Sequence, residues 1–218
     1  MSAAAGAGRG GPCPGGVGEG WLLVTVSTPG AAGSLRVHVW RKLRSLGALY
    51  LQSSVCLLPA RPALVREVRR LVDRVRRAGG PARVLTVAIG EAGEEQGLRA
   101  ELNAARDGEY AEVLDRVPAF LAELAAERRK GRASYVEVEE SEADLDRLRS
   151  WLAKIEARDY FGAPGGGAAR AAVAGCEREL AAFEAEALAA EAPPARAVHL
   201  RRLPSAGPDR AAGGRGAR

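Results

Sequence analysis

Residues 21–90 set the limits on what this chain can fold into, because strand-like and helix-like runs alternate through them without a gap. Trp21-Leu-Leu-Val-Thr-Val-Ser27 opens the run as a nearly continuous apolar strand, and Arg83-Val-Leu-Thr-Val-Ala-Ile89 closes it as another. Between them the spacing predicts an amphipathic helix at about 34–46, an apolar hairpin at about 48–58 turning at Gln52-Ser53-Ser54, and a second amphipathic helix at about 62–78. The order is β-α-β-β-α-β, and the short turn makes strands two and three neighbours. An α+β, ferredoxin-like domain over 21–90 is therefore expected.

The first helix has Ser34 available as a cap and an apolar stripe of Leu35, Val39, Leu43 and Leu46, with Trp40 beside it. Its opposite face carries Arg36, His38, Arg41, Lys42 and Arg44 and no acid. The second helix starts at Pro62, runs a wide stripe of Leu64, Val65, Val68, Leu71, Val72, Val75 and Ala78, and ends at Gly79-Gly80. Leu64, Val68, Leu71 and Val75 are expected to face the sheet. Its other face holds Arg66, Arg69, Arg70, Arg74, Arg76 and Arg77, relieved only by Glu67 and Asp73. Both helices pack on one side of a sheet of this topology, so their polar faces should join into one broad basic surface. The candidate phosphate-contacting residues are Arg36, Arg41, Lys42, Arg44, Arg66, Arg69, Arg70, Arg74 and Arg77. Cys56, in an apolar strand with no activating neighbour, reads as a buried structural thiol.

The rest of the chain reads as appendages to this run. Residues 1–20 are rich in Ala, Gly and Pro and are expected to be a disordered tail; 192–218 return to Pro, Gly and Arg as a disordered basic tail. Residues 91–191 are expected to form a helical extension packed on the first domain. Within it, 91–97 read as an acidic linker, and helices are expected at about 98–106 and 109–130, with Pro118 kinking or breaking the longer one. Tyr135-Val-Glu-Val138 suggests a short strand or an extended connection. Ser141 with Asp144 resembles a capping box that starts a helix along Leu145, Leu148, Leu152 and Ile155. A loop at Asp159–Gly167 then reverses the chain into a last helix at about 168–190, with Val173, Cys176, Leu180, Phe183 and Ala187 on its stripe. These two helices should form an antiparallel hairpin.

Charge divides the chain. Residues 21–90 hold twelve Arg and Lys against two acids, whereas 91–192 hold thirteen against twenty-three. Two readings follow: a basic face meant for a polyanion, or two halves that attract and cancel each other or a partner. Three scattered cysteines share no metal-ligand spacing and point to a reduced cytoplasm; no run of 18 apolar residues is present, so no membrane partner is expected. A nuclease of this fold needs a carboxylate at the end of strand one, where this chain has Ser27-Thr28-Pro29. Gly165-Gly-Gly167 follows no strand and lacks the P-loop lysine, and neither His38 nor His199 has a plausible partner. No catalytic or metal constellation results, and the expectation is a non-enzymatic protein without a cofactor.

Trp21-Leu-Leu-Val-Thr-Val-Ser, Trp40-Arg-Lys-Leu-Arg-Ser-Leu-Gly-Ala and Ser54-Val-Cys-Leu-Leu-Pro59 resemble the N-terminal domain of ChrB, the bacterial chromate-resistance regulator family. Arg158-Asp-Tyr-Phe-Gly162 resembles a further stretch of such chains, so the likeness spans about 21–190. More distantly, the first three stretches resemble the middle domain of PaaX-type repressors and the small ferredoxin-like nuclease of CRISPR adaptation. The resemblance implies a cytoplasmic bacterial regulator or accessory protein of chromate resistance that binds promoter DNA and releases it when chromate is present. Expected partners are promoter DNA, chromate or another oxyanion as effector, and a second copy in a homodimer. Relative to full-length ChrB and to PaaX-type repressors, the expectation is a short tail in place of the larger C-terminal domain and no winged helix before the ferredoxin-like unit. The competing expectation is a protein-interaction module or subunit whose basic helices are neutralised by its own acidic half or by a partner.

Overall fold

The central strand is apolar toward both faces: Leu22 and Val24 turn to one side, Trp21 and Leu23 to the other. The structure, a computed structural model, describes residues 20–27, 33–130 and 135–191. Expectations for residues 1–19, Cys13, Thr28-Pro29, the 192–218 tail and His199 lie outside the described residues. The elements are β1 (Trp21–Val26), α1 (Gly33–Ser45), β2 (Leu49–Gln52), β3 (Val55–Pro59), α2 (Pro62–Arg77), β4 (Ala82–Val87), α3 (Ala92–Lys130), α4 (Tyr135–Glu156) and α5 (Gly166–Glu191). The four strands form one antiparallel sheet in the order β2-β3-β1-β4, so the protein is α+β. β4 ends at Val87, two residues short of the expected boundary.

On the first face of the sheet, Leu22, Val24, Cys56 and Leu58 meet Val39 and Leu43 of α1 and Leu64, Val68, Leu71 and Val75 of α2. The last four are buried, as their spacing predicts, and each buried Leu or Val of this kind contributes about 1.5–3 kcal/mol. Gly47, at φ +72°, lets the chain turn out of α1: its N–H donates to Arg44 O and that of Ala48 to Leu43 O. The second face receives Leu102 of α3, which packs with Trp21 and Leu57. Trp21 also stacks at 5.7 Å on Phe161.

The helical part departs from expectation at two places. The two helices expected at 98–106 and 109–130 are one, and α3 already begins inside the expected 91–97 linker. It runs through Pro118 unbroken because Val113, Val117, Phe120 and Leu124 lie in one buried core, which offsets the missing backbone hydrogen bond. Tyr135–Val138 is not a strand but the first turn of α4, and Ser141 sits inside that helix rather than capping it. Tyr-Val-Glu-Val has the alternation of a strand but, among the described residues, pairs with no strand of the sheet. As helix, the same residues put Val138, Ser141, Leu145, Leu148, Leu152 and Ile155 on one seam of alternating three- and four-residue steps.

α5 supplies the matching seam of Ala169, Val173, Cys176, Leu180, Phe183 and Ala187, and α3, α4 and α5 enclose a second core. Arg149–Glu177 and Arg170–Glu156 pair across α4 and α5 in antiparallel register, as expected of the hairpin.

The loop between α4 and α5 joins the two cores. Tyr160 donates its hydroxyl to Leu46 O at 2.7 Å, and Arg61 donates to Tyr160 O while its guanidinium lies 5.1 Å from that ring. Asp159 accepts from the backbone N–H of Gly162 and Ala163 and from the Tyr110 hydroxyl at 3.0 Å. Arg158 and the buried Arg106 converge on Glu109 at 3.0 and 3.1 Å. Desolvation holds the Arg106 guanidinium below its ordinary range, with Glu109 opposing that shift.

Candidate nucleic-acid interface

α1 and α2 lie side by side on the sheet because each has a single apolar stripe to bury, and this leaves their charged faces turned outward. Arg36, Arg41 and Arg44 of α1 and Arg66, Arg69, Arg70, Arg74 and Arg77 of α2 are all exposed. Two contacts stitch the faces together. Lys42 pairs with Glu67 at 2.7 Å, and Arg74 Nη1 lies 3.2 Å from His38 Nε2. His38 therefore has a partner, contrary to expectation, because the helices pack closely enough to bring residues 36 apart together.

Lys42 is half-buried and differs from the other eight candidates. Its ammonium is engaged by Glu67, which also accepts from Arg70 at 2.8 Å. The hydrogen bond from Lys42 comes first among the causes that hold the Glu67 carboxyl below its ordinary value. Arg76 pairs loosely with Asp73 at 3.8 Å and donates to Ala82 O, fixing the end of α2 to β4. Arg44 lies over the Trp40 ring at 5.1 Å. The two acids of this face thus offset only part of its charge.

The acidic half keeps its charge on other elements. Asp144 pairs with Arg147 and Asp146 with Arg149 inside α4, while Glu179 and Glu186 of α5 both reach Arg128 of α3. The arginines of α2 remain open to solvent beside this separate network. Chemically, such a face can neutralise closely spaced phosphates; among the described residues, no group of three or more His, Cys, Asp or Glu is placed to hold a metal ion. Cys56 is buried, and desolvation pushes its thiol up to about 12, as suits a structural thiol rather than a nucleophile. No helix among the described residues is long and apolar enough to cross a membrane.

Sequence reasoning did not find the junction of Arg61, Arg106, Glu109 and Tyr160, which are far apart in the chain. The signal available was Arg158–Gly162, which carries the resemblance and proves to be the loop that holds the two cores together.

The comparisons agree with that resemblance. Residues 36–193 match the family model described as "Protein ChrB, N-terminal". A curated relative, Protein ChrB of Cupriavidus metallidurans, is 34% identical over 92 residues, which is 42% of this chain and 28% of that protein. The match thus spans less than a third of the relative's length. No solved structure matches the chain. A family model that covers most of the chain, including α1 from Arg36 onward, all of α2 and the junction loop, makes this protein a member of the ChrB N-terminal domain family.

Proposed function

We propose that this protein is a cytoplasmic bacterial regulator or accessory protein of chromate resistance, acting without catalysis, and that it binds promoter DNA through the joined faces of α1 and α2. The observation that carries this reading is the set of nine exposed arginines on two adjacent helices, the eight candidates and Arg76, with only Glu67 and Asp73 among them. The β-α-β-β-α-β order, with β1 antiparallel to both β3 and β4, supports assigning residues 21–90 to the ferredoxin-like group. Membership of the ChrB family supports chromate as the signal.

The test is fluorescence anisotropy of the full chain on DNA from upstream of its own gene and on an unrelated duplex, each with and without chromate. Tighter binding to its own promoter, weakened by chromate, is the expected result. Equal, chromate-insensitive binding to both would reject the regulatory reading. The alternative, neutralisation of the basic helices by the chain's own acidic half, is disfavoured by the ion pairs within and between α3, α4 and α5.

A further inference from the structure

A cavity of about 520 Å³ opens between α1 and the β2–β3 hairpin, beside the carboxyl end of β1. Its volume lies in the range of small-molecule sites, about 300–1,000 Å³. The walls are apolar where α1 meets the sheet, at Val26, Val37, Val39 and Leu43, and polar where Arg36, Tyr50, Ser53 and Ser54 approach. Val37 and Trp40 are 43% and 47% exposed. One exposed apolar side chain is ordinary on any surface, but these two stand one turn apart on an otherwise basic helix and line the same cavity.

The second observation is on the opposite wall. Tyr50 stands across from Cys56 in the β2–β3 ladder, next to the irregularity in register between Tyr50 and Gln52. Its hydroxyl is buried and has no hydrogen-bond partner among the described residues. Such an orphaned donor costs about 1–3 kcal/mol, which a fold tolerates when something else supplies the acceptor. Burial pushes the phenol up to about 12, so it remains a donor throughout the physiological range.

We propose that this cavity is a binding site for a small amphiphilic organic anion, with its apolar ring system between Val37, Trp40 and Leu43 and its anionic group toward Arg36, a slight outward rotation of the Tyr50 side chain bringing its buried hydroxyl within reach. A bare inorganic anion fits poorly, because most of the wall would strip its hydration without replacing it. A cation is disfavoured by Arg36 in the lining and by Arg41 and Arg44 on the same helix face. The site shares Arg36 with the proposed DNA-binding face, so its test contains no DNA.

The probe is 8-anilinonaphthalene-1-sulfonate, whose fused rings and sulfonate match the two halves of the site. Titrated into the full chain, it should bind saturably at one site. Val37→Glu should weaken binding at least tenfold by placing a carboxylate in the apolar wall, and folding should survive because Val37 is exposed. Tyr50→Phe keeps the ring and removes only the orphaned hydroxyl, so it should weaken binding fivefold or more without lowering Tm. That split separates a ligand contact from a structural role. Leu188→Glu, on the distant α5, should leave binding unchanged. N-phenyl-1-naphthylamine, the same rings without the sulfonate, should bind at least tenfold more weakly. Chromate at equal concentration should not displace the bound probe. Non-saturable binding, unchanged affinity in both Val37→Glu and Tyr50→Phe, equal affinity for the uncharged probe, or displacement by chromate overturns the assignment.

Discussion

Tyr160 donates its hydroxyl to the carbonyl oxygen of Leu46 at 2.7 Å, which ties the loop between α4 and α5 to the end of α1 across 114 residues of sequence. Arg61 holds the same tyrosine from the start of α2, by a hydrogen bond to its carbonyl and by stacking on its ring. Tyr160→Phe should cost about 1 kcal/mol, the usual net worth of one such bond. Tyr160→Ala should cost about 3–5 kcal/mol, because the ring's packing is lost too. Urea unfolding followed by far-ultraviolet circular dichroism measures both; equal costs for the two variants would mean that the hydroxyl alone carries the junction.

The core of the sheet makes a second prediction. Leu71 is buried in the cluster that contains Leu22, Val24 and Leu58, so Leu71→Ala should destabilise by about 2–5 kcal/mol. Leu188→Ala, at an exposed position, should change stability by about 0.5 kcal/mol or less. Comparable shifts in the urea midpoint would contradict the burial of the α2 stripe.

Stability should fall at alkaline pH. Burial raises Cys56 from its ordinary 9.0 to about 12, and burial, aided by the Asp159 hydrogen bond, raises Tyr110 from 10.0 to about 12. A raised group keeps its proton in the folded chain after the unfolded chain has released it, so its contribution is complete below the unfolded value and is lost as pH rises through the folded one. The decline should begin near pH 9 and continue to about 12, with the Cys56 share reaching about 1.4 kcal/mol per pH unit. In Cys56→Ala the decline should be shallower, while its onset stays near pH 9 because burial also raises the Cys176 thiol above its ordinary 9.0. Unfolding midpoints at pH 8, 9.5 and 11 provide the measurement.

If the basic face binds DNA, replacing Arg66, Arg70, Arg74 and Arg77 together by Gln should weaken binding similarly for every sequence. The slope of log K against log salt should flatten by about 0.9 for each phosphate that is no longer neutralised. Folding should be retained, since all four side chains are exposed. Unchanged affinity and slope in a folded quadruple variant would remove the face from consideration as a nucleic-acid site.

Gly47 supports the junction from the other side. Its φ of +72° is unfavourable for a side chain, and an added Cβ would lie 3.1 Å from both Arg106 Nη1 and Arg158 Cβ. Gly47→Ala should therefore destabilise by about 1–2 kcal/mol in the same urea assay. A neutral or stabilising change would show that α1 does not end against this loop.

The apolar spacing of α1 and α2 by itself determined which faces are buried and which are basic, because a helix with one stripe has one way to satisfy it against a sheet. Val68 and Val75 are fully buried and Arg66 and Arg74 are exposed, as that spacing requires. The heptad steps of Leu145–Ile155 and Val173–Ala187 likewise marked the hairpin. Only the tertiary structure decided that α3 continues through Pro118 and that Tyr135–Val138 is helical: both depend on neighbours that local propensity does not contain. The same holds for the cavity beside Tyr50 and for the meeting of Arg61, Arg106, Glu109 and Tyr160. Those sites arise where chain-distant residues are brought together, and no periodicity in a linear sequence encodes a distance between residues a hundred positions apart.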